Sequence, residues 1–191
     1  MTTQIADQEK TEWVYLALVS TPGIFANAIR KALNHDYVHV TLSLDADFKH
    51  AFSFGRRDPS VPIFAGFTRE NASEILGQYP GARYRIVSIP CTKAQKNLLQ
   101  RDFRRYYKNR FHYHYNILGL PFIVMNKPFY LKNRYTCSSF LAMLLDRRGI
   151  MSFDKHFSLV TPRDFYEGLQ KTVVFEGYLH EYPLLKASSL S

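Results

Sequence analysis

The alternation of apolar and polar positions marks most of the regular elements along the chain. Trp13 to Val19 is a continuous apolar run closed by Pro22-Gly23, as expected of a buried strand. Ile24 to Leu33 places Phe25, Ala28, Ile29 and Ala32 on one side of a short helix. His39 to Asp45 alternates strictly, with Val40, Leu42 and Leu44 on one face and His39, Thr41 and Ser43 on the other. A turn over Asp45 to Lys49 returns a partner strand from His50 to Gly55, and Ala82 to Pro90 predicts a third strand. Residues 56 to 81 hold several Pro and Gly and predict an irregular excursion. Thr92 caps a long helix to about Asn109. Tyr115 to Val124 predicts a second short helix broken at Pro121. Thr136 to Arg148 is the clearest helix, with Phe140, Leu141, Leu144 and Leu145 at helical spacing and Gly149 as C-cap. Pro162 opens another helix after Thr161, and Thr172 to Gly177 predicts a closing strand. Strand, helix, hairpin and strand followed mainly by helices is an α+β layout, with a small antiparallel sheet packed against helices and no βαβ alternation.

Composition narrows this picture. A chain of 191 residues, 46% hydrophobic and 15% aromatic, suits one globular domain over residues 1–191. A polar N-terminal tail, about 1–11, and a loose C-terminal tail, about 186–191, flank it. No apolar run approaches the ~20 residues of a membrane helix, and Met1 to Lys10 lacks the pattern of a secretory signal. Only Cys91 and Cys137 are present, which favours free thiols in a reducing, cytoplasmic setting over a disulfide scaffold.

The formal net charge of +9 attracts nucleic acid, anionic surfaces or acidic substrates. The basic stretch 93–110, interleaved with Tyr106, Tyr107 and Phe111, allows a nucleic-acid or anionic-surface partner, although a solvated helix face is the usual explanation of such a run. No recognised nucleic-acid-binding motif accompanies it. His112-Tyr-His114 and the His35/His39 pair lack carboxylate or Cys partners at zinc-site spacing, so no metal is expected. Glycine-rich phosphate loops are absent as well, and no cofactor is implied.

Cys137 is the sharpest chemical feature. It starts the clearest helix, directly after the cap residue Thr136, where unpaired N–H groups and the positive dipole end favour a thiolate. A small buried core cysteine is the plain alternative. His39, on the polar face of its strand, is the base candidate; a partly exposed strand histidine is its plain alternative. A third group must orient the imidazole. The returning strand offers Ser53 or, in a different register, His50.

Taken together, these pieces resemble the permuted papain-like amidohydrolases, relatives of the NlpC-type cell-wall peptidases and of the lecithin–retinol acyltransferase group. A strand His comes first and a helix-start Cys comes late. The matching segments are Tyr37–Asp45, Phe52–Arg56, Phe67–Glu70, Tyr115–Leu120, Tyr135–Ala142 and Leu159–Phe165 with Glu176-Gly177. The resemblance implies a permuted papain-like fold and a cysteine-dependent hydrolase or acyltransferase acting on an amide or ester through a thioester. The substrate would be a cell-wall-type peptide, an isopeptide or an acyl lipid. It assigns Cys137 as nucleophile and His39 as base. The family's third residue, roughly twelve positions after the His, falls on Ala51. Ser53 is the preferred substitute, His50 the second choice, and Tyr15, Asn116 and Ser138 are candidate site lining. A binding module, or an enzyme fold without activity, is the alternative.

Overall fold

The computed structural model describes residues 11–57, 65–169 and 172–188. Most of the N-terminal tail and the end of the C-terminal tail lie outside these residues. The elements run β1 (Glu12–Ser20), α1 (Ile24–Leu33), β2 (His39–Ser43), β3 (Ala51–Arg56), β4 (Ala65–Glu70), α2 (Ala72–Gln78), β5 (Arg83–Cys91), α3 (Lys93–Lys108), β6 (His114–Tyr115), α4 (Leu120–Val124), β7 (Arg134–Tyr135), α5 (Cys137–Arg147), α6 (Pro162–Gly168), β8 (Val173–Tyr178) and α7 (Pro183–Ser188). The protein is α+β, built on a six-stranded antiparallel sheet in the order β4-β3-β2-β1-β5-β8.

Helices cover both faces of the sheet. On one face Val14, Leu16, Leu18, Val40, Leu42, Phe54 and Phe67 meet Leu99 and Phe103 of α3, Phe140 to Leu145 of α5 and Phe165 of α6. On the other, Ala17, Val19, Ala51, Tyr84 and Ile86 are covered by Ala72 of α2, Leu179, Tyr182 and Leu185. Each large side chain fully buried in this way contributes roughly 1.5–3 kcal/mol of transfer free energy.

Three expectations change here. The alternating polar face of β2 is not a water-facing surface. Thr41, Ser43 and Ser53 are all buried beneath the second layer, where each hydroxyl must find a partner. Within residues 56–81, the expected irregular excursion contains β4 and α2 instead; only 58–64 lie outside the described residues. Asn71 caps α2 by accepting from the Ser73 amide at 2.9 Å. The C-terminal tail expected from Lys186 likewise begins inside α7.

The helix that carries Cys137 is held by its own start. The Thr136 amide donates to Ser139 Oγ at 2.8 Å, and the Ser139 amide donates back to Thr136 Oγ1 at 3.1 Å. This reciprocal cap satisfies two otherwise unpaired donors and fixes where the helix begins. Ser138 Oγ donates to the Val160 carbonyl at 2.7 Å and anchors the first turn to the segment before α6. No helix among the described residues is long and apolar enough to cross a membrane.

Candidate active site

β2 and β3 are paired only at Leu42–Phe52 and Ser43–Ala51, so the two strands part toward His39. The start of α5 packs at this opening. There the Cys137 sulfur is hydrogen-bonded by the His39 side chain and by the backbone amides of Val40 and Ser138. The Tyr115 hydroxyl also hydrogen-bonds it. Cys137 is 2% exposed, and that burial alone would disfavour a thiolate. The His39 charge and these donors outweigh the burial, and the Cys137 pKa lies below the ordinary thiol value.

His39 is held from its other side by Glu70, whose Oε1 lies 2.9 Å from His39 Nε2. With Nε2 committed to the carboxylate, Nδ1 is the nitrogen left for the sulfur. Burial pushes the imidazole toward neutrality, but the Glu70 carboxylate and then the Cys137 thiolate more than reverse this, and the His39 pKa stands well above its usual value. Glu70 behaves correspondingly. Its burial raises the carboxyl pKa, while His39, Ser53 and Thr41 together bring it below the ordinary range. Each shift therefore favours the charged form, thiolate at Cys137, imidazolium at His39 and carboxylate at Glu70, through the neighbouring charge.

The antiparallel register explains why these groups meet. Ser43 pairs with Ala51, and Ala51 pairs with Glu70, so His39, Thr41, Ser53 and Glu70 share one face of the sheet. Ser53 does lie on the face of His39, but it is not the group on the imidazole. Its hydroxyl donates to Glu70 Oε1, so Ser53 orients the carboxylate that orients the histidine. A charged acceptor holds an imidazolium better than a hydroxyl can, and Glu70 occupies that position. His50, the second choice, is exposed in the turn before β3 and takes no part.

The other expected lining residues divide. Ser138 borders the groove beside Cys137, with its hydroxyl committed to Val160. Asn116 is buried beside Gly119 and is not on the groove wall. Tyr15 packs with the Ala17 and Val19 layer, away from the cysteine helix, because its place in β1 turns it to the opposite sheet face. Tyr115, next to Asn116, is the aromatic residue that reaches the sulfur.

Sequence reasoning passed over Glu70 and Tyr115, although both stand in segments that carry the family resemblance. A usable signal was present for Glu70. Gly66, Thr68 and Glu70 alternate with Phe67 at a period of two, but the Pro and Gly around them masked the strand. Gly55 is a further site position. A Cβ there would lie 3.1 Å from Glu70 Oε1 and 3.5 Å from His39 Cε1. Gly55→Ala is expected to push the carboxylate a few tenths of an ångström off the imidazole and lower turnover about tenfold, since small misplacements cost heavily in catalysis. Steady-state kinetics beside an unchanged thermal melt would show this; wild-type rates would remove the close-approach role.

Cys137 opens into an apolar groove of about 290 Å³, walled by Ile29, Ala32 and Leu33 of α1, Val38, Tyr115 and the Leu120–Val124 helix. A wider polar depression of about 710 Å³ lies among Arg30, Lys31, Asp36, Arg83, Tyr166 and Glu176, and none of the three site residues borders it.

Comparison with protein-family models, curated proteins and solved structures finds no match.

Among the described residues, no three His, Cys, Asp or Glu side chains come together as a metal would require. His35, considered earlier beside His39, instead packs edge-on against Tyr166, with ring centroids 4.8 Å apart.

Proposed function

We propose that this chain is a cysteine-dependent hydrolase or acyltransferase with a permuted papain-like arrangement, acting on an amide or ester through a thioester. The observation that carries this reading is the bond from Glu70 Oε1 to His39 Nε2 at 2.9 Å, on an imidazole whose other side serves the Cys137 thiol. Nucleophile, base and orienting group arranged in this way define an activated thiol. The order of strand His before helix-start Cys, which resembles the permuted papain-like amidohydrolases, supports it further.

The chemistry follows from the charges. The Cys137 thiolate attacks the carbonyl carbon, and a C–S bond forms as the carbonyl electrons move onto oxygen. The backbone N–H of Cys137 at the helix start and the Tyr115 hydroxyl serve as donors to that oxyanion. When the carbonyl reforms, the C–N or C–O bond breaks, and His39 Nδ1–H protonates the departing amine or alcohol. Water or an acceptor hydroxyl or amine then attacks the thioester and gives its proton to His39. The acyl product leaves, and the thiolate–imidazolium pair is restored. Glu70 keeps its charge throughout, fixing the ring and stabilising its cationic form.

The test is direct. The protein incubated with p-nitrophenyl butyrate is expected to release p-nitrophenol in a burst and to carry a butyryl mass on Cys137 in peptide mass spectrometry. A protein that shows neither burst nor adduct at Cys137 would overturn the reading.

A further inference from the structure

From Phe103 to Leu145 the chain carries seven Lys and Arg residues and no Asp or Glu. In the middle of this span, the 3-10 turn Ile117–Gly119 and the short helix α4 present aliphatic side chains to solvent. Leu118 is 63% exposed, Val124 64% and Met125 53%, with Ile117 and Leu131 also open. Single exposed apolar residues are ordinary, but a run of them along one segment marks a contact surface. Lys127, Lys132 and Arg134 follow on the same segment and are exposed. Among the described residues they enter no ion pair. Strand pairing sets His114 beside Arg134 and so folds the two ends of the segment together.

The surface continues into the site. Val124 is at once two-thirds exposed and part of the wall of the groove that ends at Cys137, and Leu120, Pro121 and Ile123 line the groove behind it. A nucleic acid would be gripped by exposed rings on which bases stack; the most exposed apolar side chains of this segment, Leu118, Val124 and Met125, offer none, while Phe111 and Tyr107 lie before it and Tyr130 stands near its end. Exposed aliphatic residues followed on the same segment by exposed cations, with Tyr130 between those cations, suit the headgroup and upper acyl region of an anionic bilayer.

We propose that the segment from Ile117 to Arg134 docks on an anionic lipid surface, and that the groove behind it receives the aliphatic chain of a lipid whose carbonyl reaches Cys137. The docking stands on the surface alone; delivery to Cys137 rests on the enzymatic reading above. The lipid chain leaves the bilayer past Val124 without crossing water, and the cations hold the protein in the orientation that makes this path continuous.

Co-sedimentation of the full chain with vesicles tests the docking. Binding to phosphatidylcholine containing roughly a third phosphatidylserine is expected to exceed binding to phosphatidylcholine alone by about tenfold or more at low salt, and to weaken as salt screens it. Leu118→Asp with Met125→Asp should cut that binding about tenfold by losing the apolar insertion, with circular dichroism and Cys137 alkylation unchanged. Lys127→Gln, Lys132→Gln and Arg134→Gln together should abolish the preference for phosphatidylserine. Absence of binding to the anionic vesicles, binding indifferent to both sets of changes, or retention on single-stranded RNA with none on vesicles would each overturn the docking. The measurement made on Cys137→Ala is independent of catalysis. For delivery, p-nitrophenyl esters of growing chain length should acylate Cys137 increasingly fast. A flat dependence would overturn the chain-accepting groove, leaving the reactive thiol standing, and docking without any acyl adduct would overturn delivery together with the enzymatic reading.

Discussion

Glu70→Gln is expected to lower kcat/KM for ester cleavage about a hundredfold, less than the roughly 10⁴-fold that the same neutralisation costs a serine triad, because a thiol ionises far more readily than a hydroxyl. Glutamine keeps the length and shape of the side chain and can still meet Ser53 and His39, so the fold is preserved. It cannot supply negative charge. Glu70 is the largest influence raising the His39 pKa, ahead of Cys137, and it does so against the effect of burial. Without it the imidazole returns toward neutrality, and the proton that separated thiolate from imidazolium goes back to sulfur. The rate of acylation by p-nitrophenyl butyrate, with a thermal melt as control, measures the effect. A variant within threefold of wild type would make Glu70 a structural residue only. Ser53→Ala should fall between the two, since it removes one donor from the carboxylate and leaves its charge in place.

The second large effect is on the pH dependence of Cys137 itself. Its pKa in the folded protein is lowered, so the thiolate is present below the ordinary thiol range and is lost as pH falls through that lowered value. His39→Ala removes the main opposing influence and leaves burial, which acts in the other direction. The alkylation profile should therefore shift to alkaline pH. At pH 6 an ordinary thiol with a pKa of about 8.5 is ionised to roughly 0.3%, so a preformed thiolate gains up to roughly 300-fold in population. Nucleophilicity falls as pKa falls and offsets about half of that advantage on a logarithmic scale, leaving about 20-fold. Iodoacetamide labelling at pH 6, followed by mass spectrometry, should slow by this factor in the variant. Cys91 serves as an internal reference, because burial raises its pKa and no histidine reverses this; it should label slowly and only toward alkaline pH. Equal labelling of Cys91 and Cys137 in the wild type would count against the ion pair.

The local elements were legible from residue order because local physics sets them. Thr136 before Cys137, the Phe140–Leu145 stripe and Gly149 define α5 without reference to the rest of the chain, and the alternation of His39 to Ser43 defines β2 in the same way. That is why a helix-start cysteine and a strand histidine could be singled out as a pair. The identity of the third group was not legible in this way. It depends on the register Ser43–Ala51–Glu70 across three strands, and a slip of one residue would have turned a different side chain toward the ring. Local composition concealed β4, because the strand is short, sits at the sheet edge and follows two prolines. The burial of Thr41 and Ser53 likewise depends on a second layer of helices that no single segment announces. The sequence alone thus offered Cys137 and His39 as candidates, and joined them through an order of segments that resembles the permuted papain-like amidohydrolases. The tertiary structure decided which carboxylate meets the imidazole, because that choice is made between residues 31 positions apart that only the pairing of β2, β3 and β4 brings to 2.9 Å.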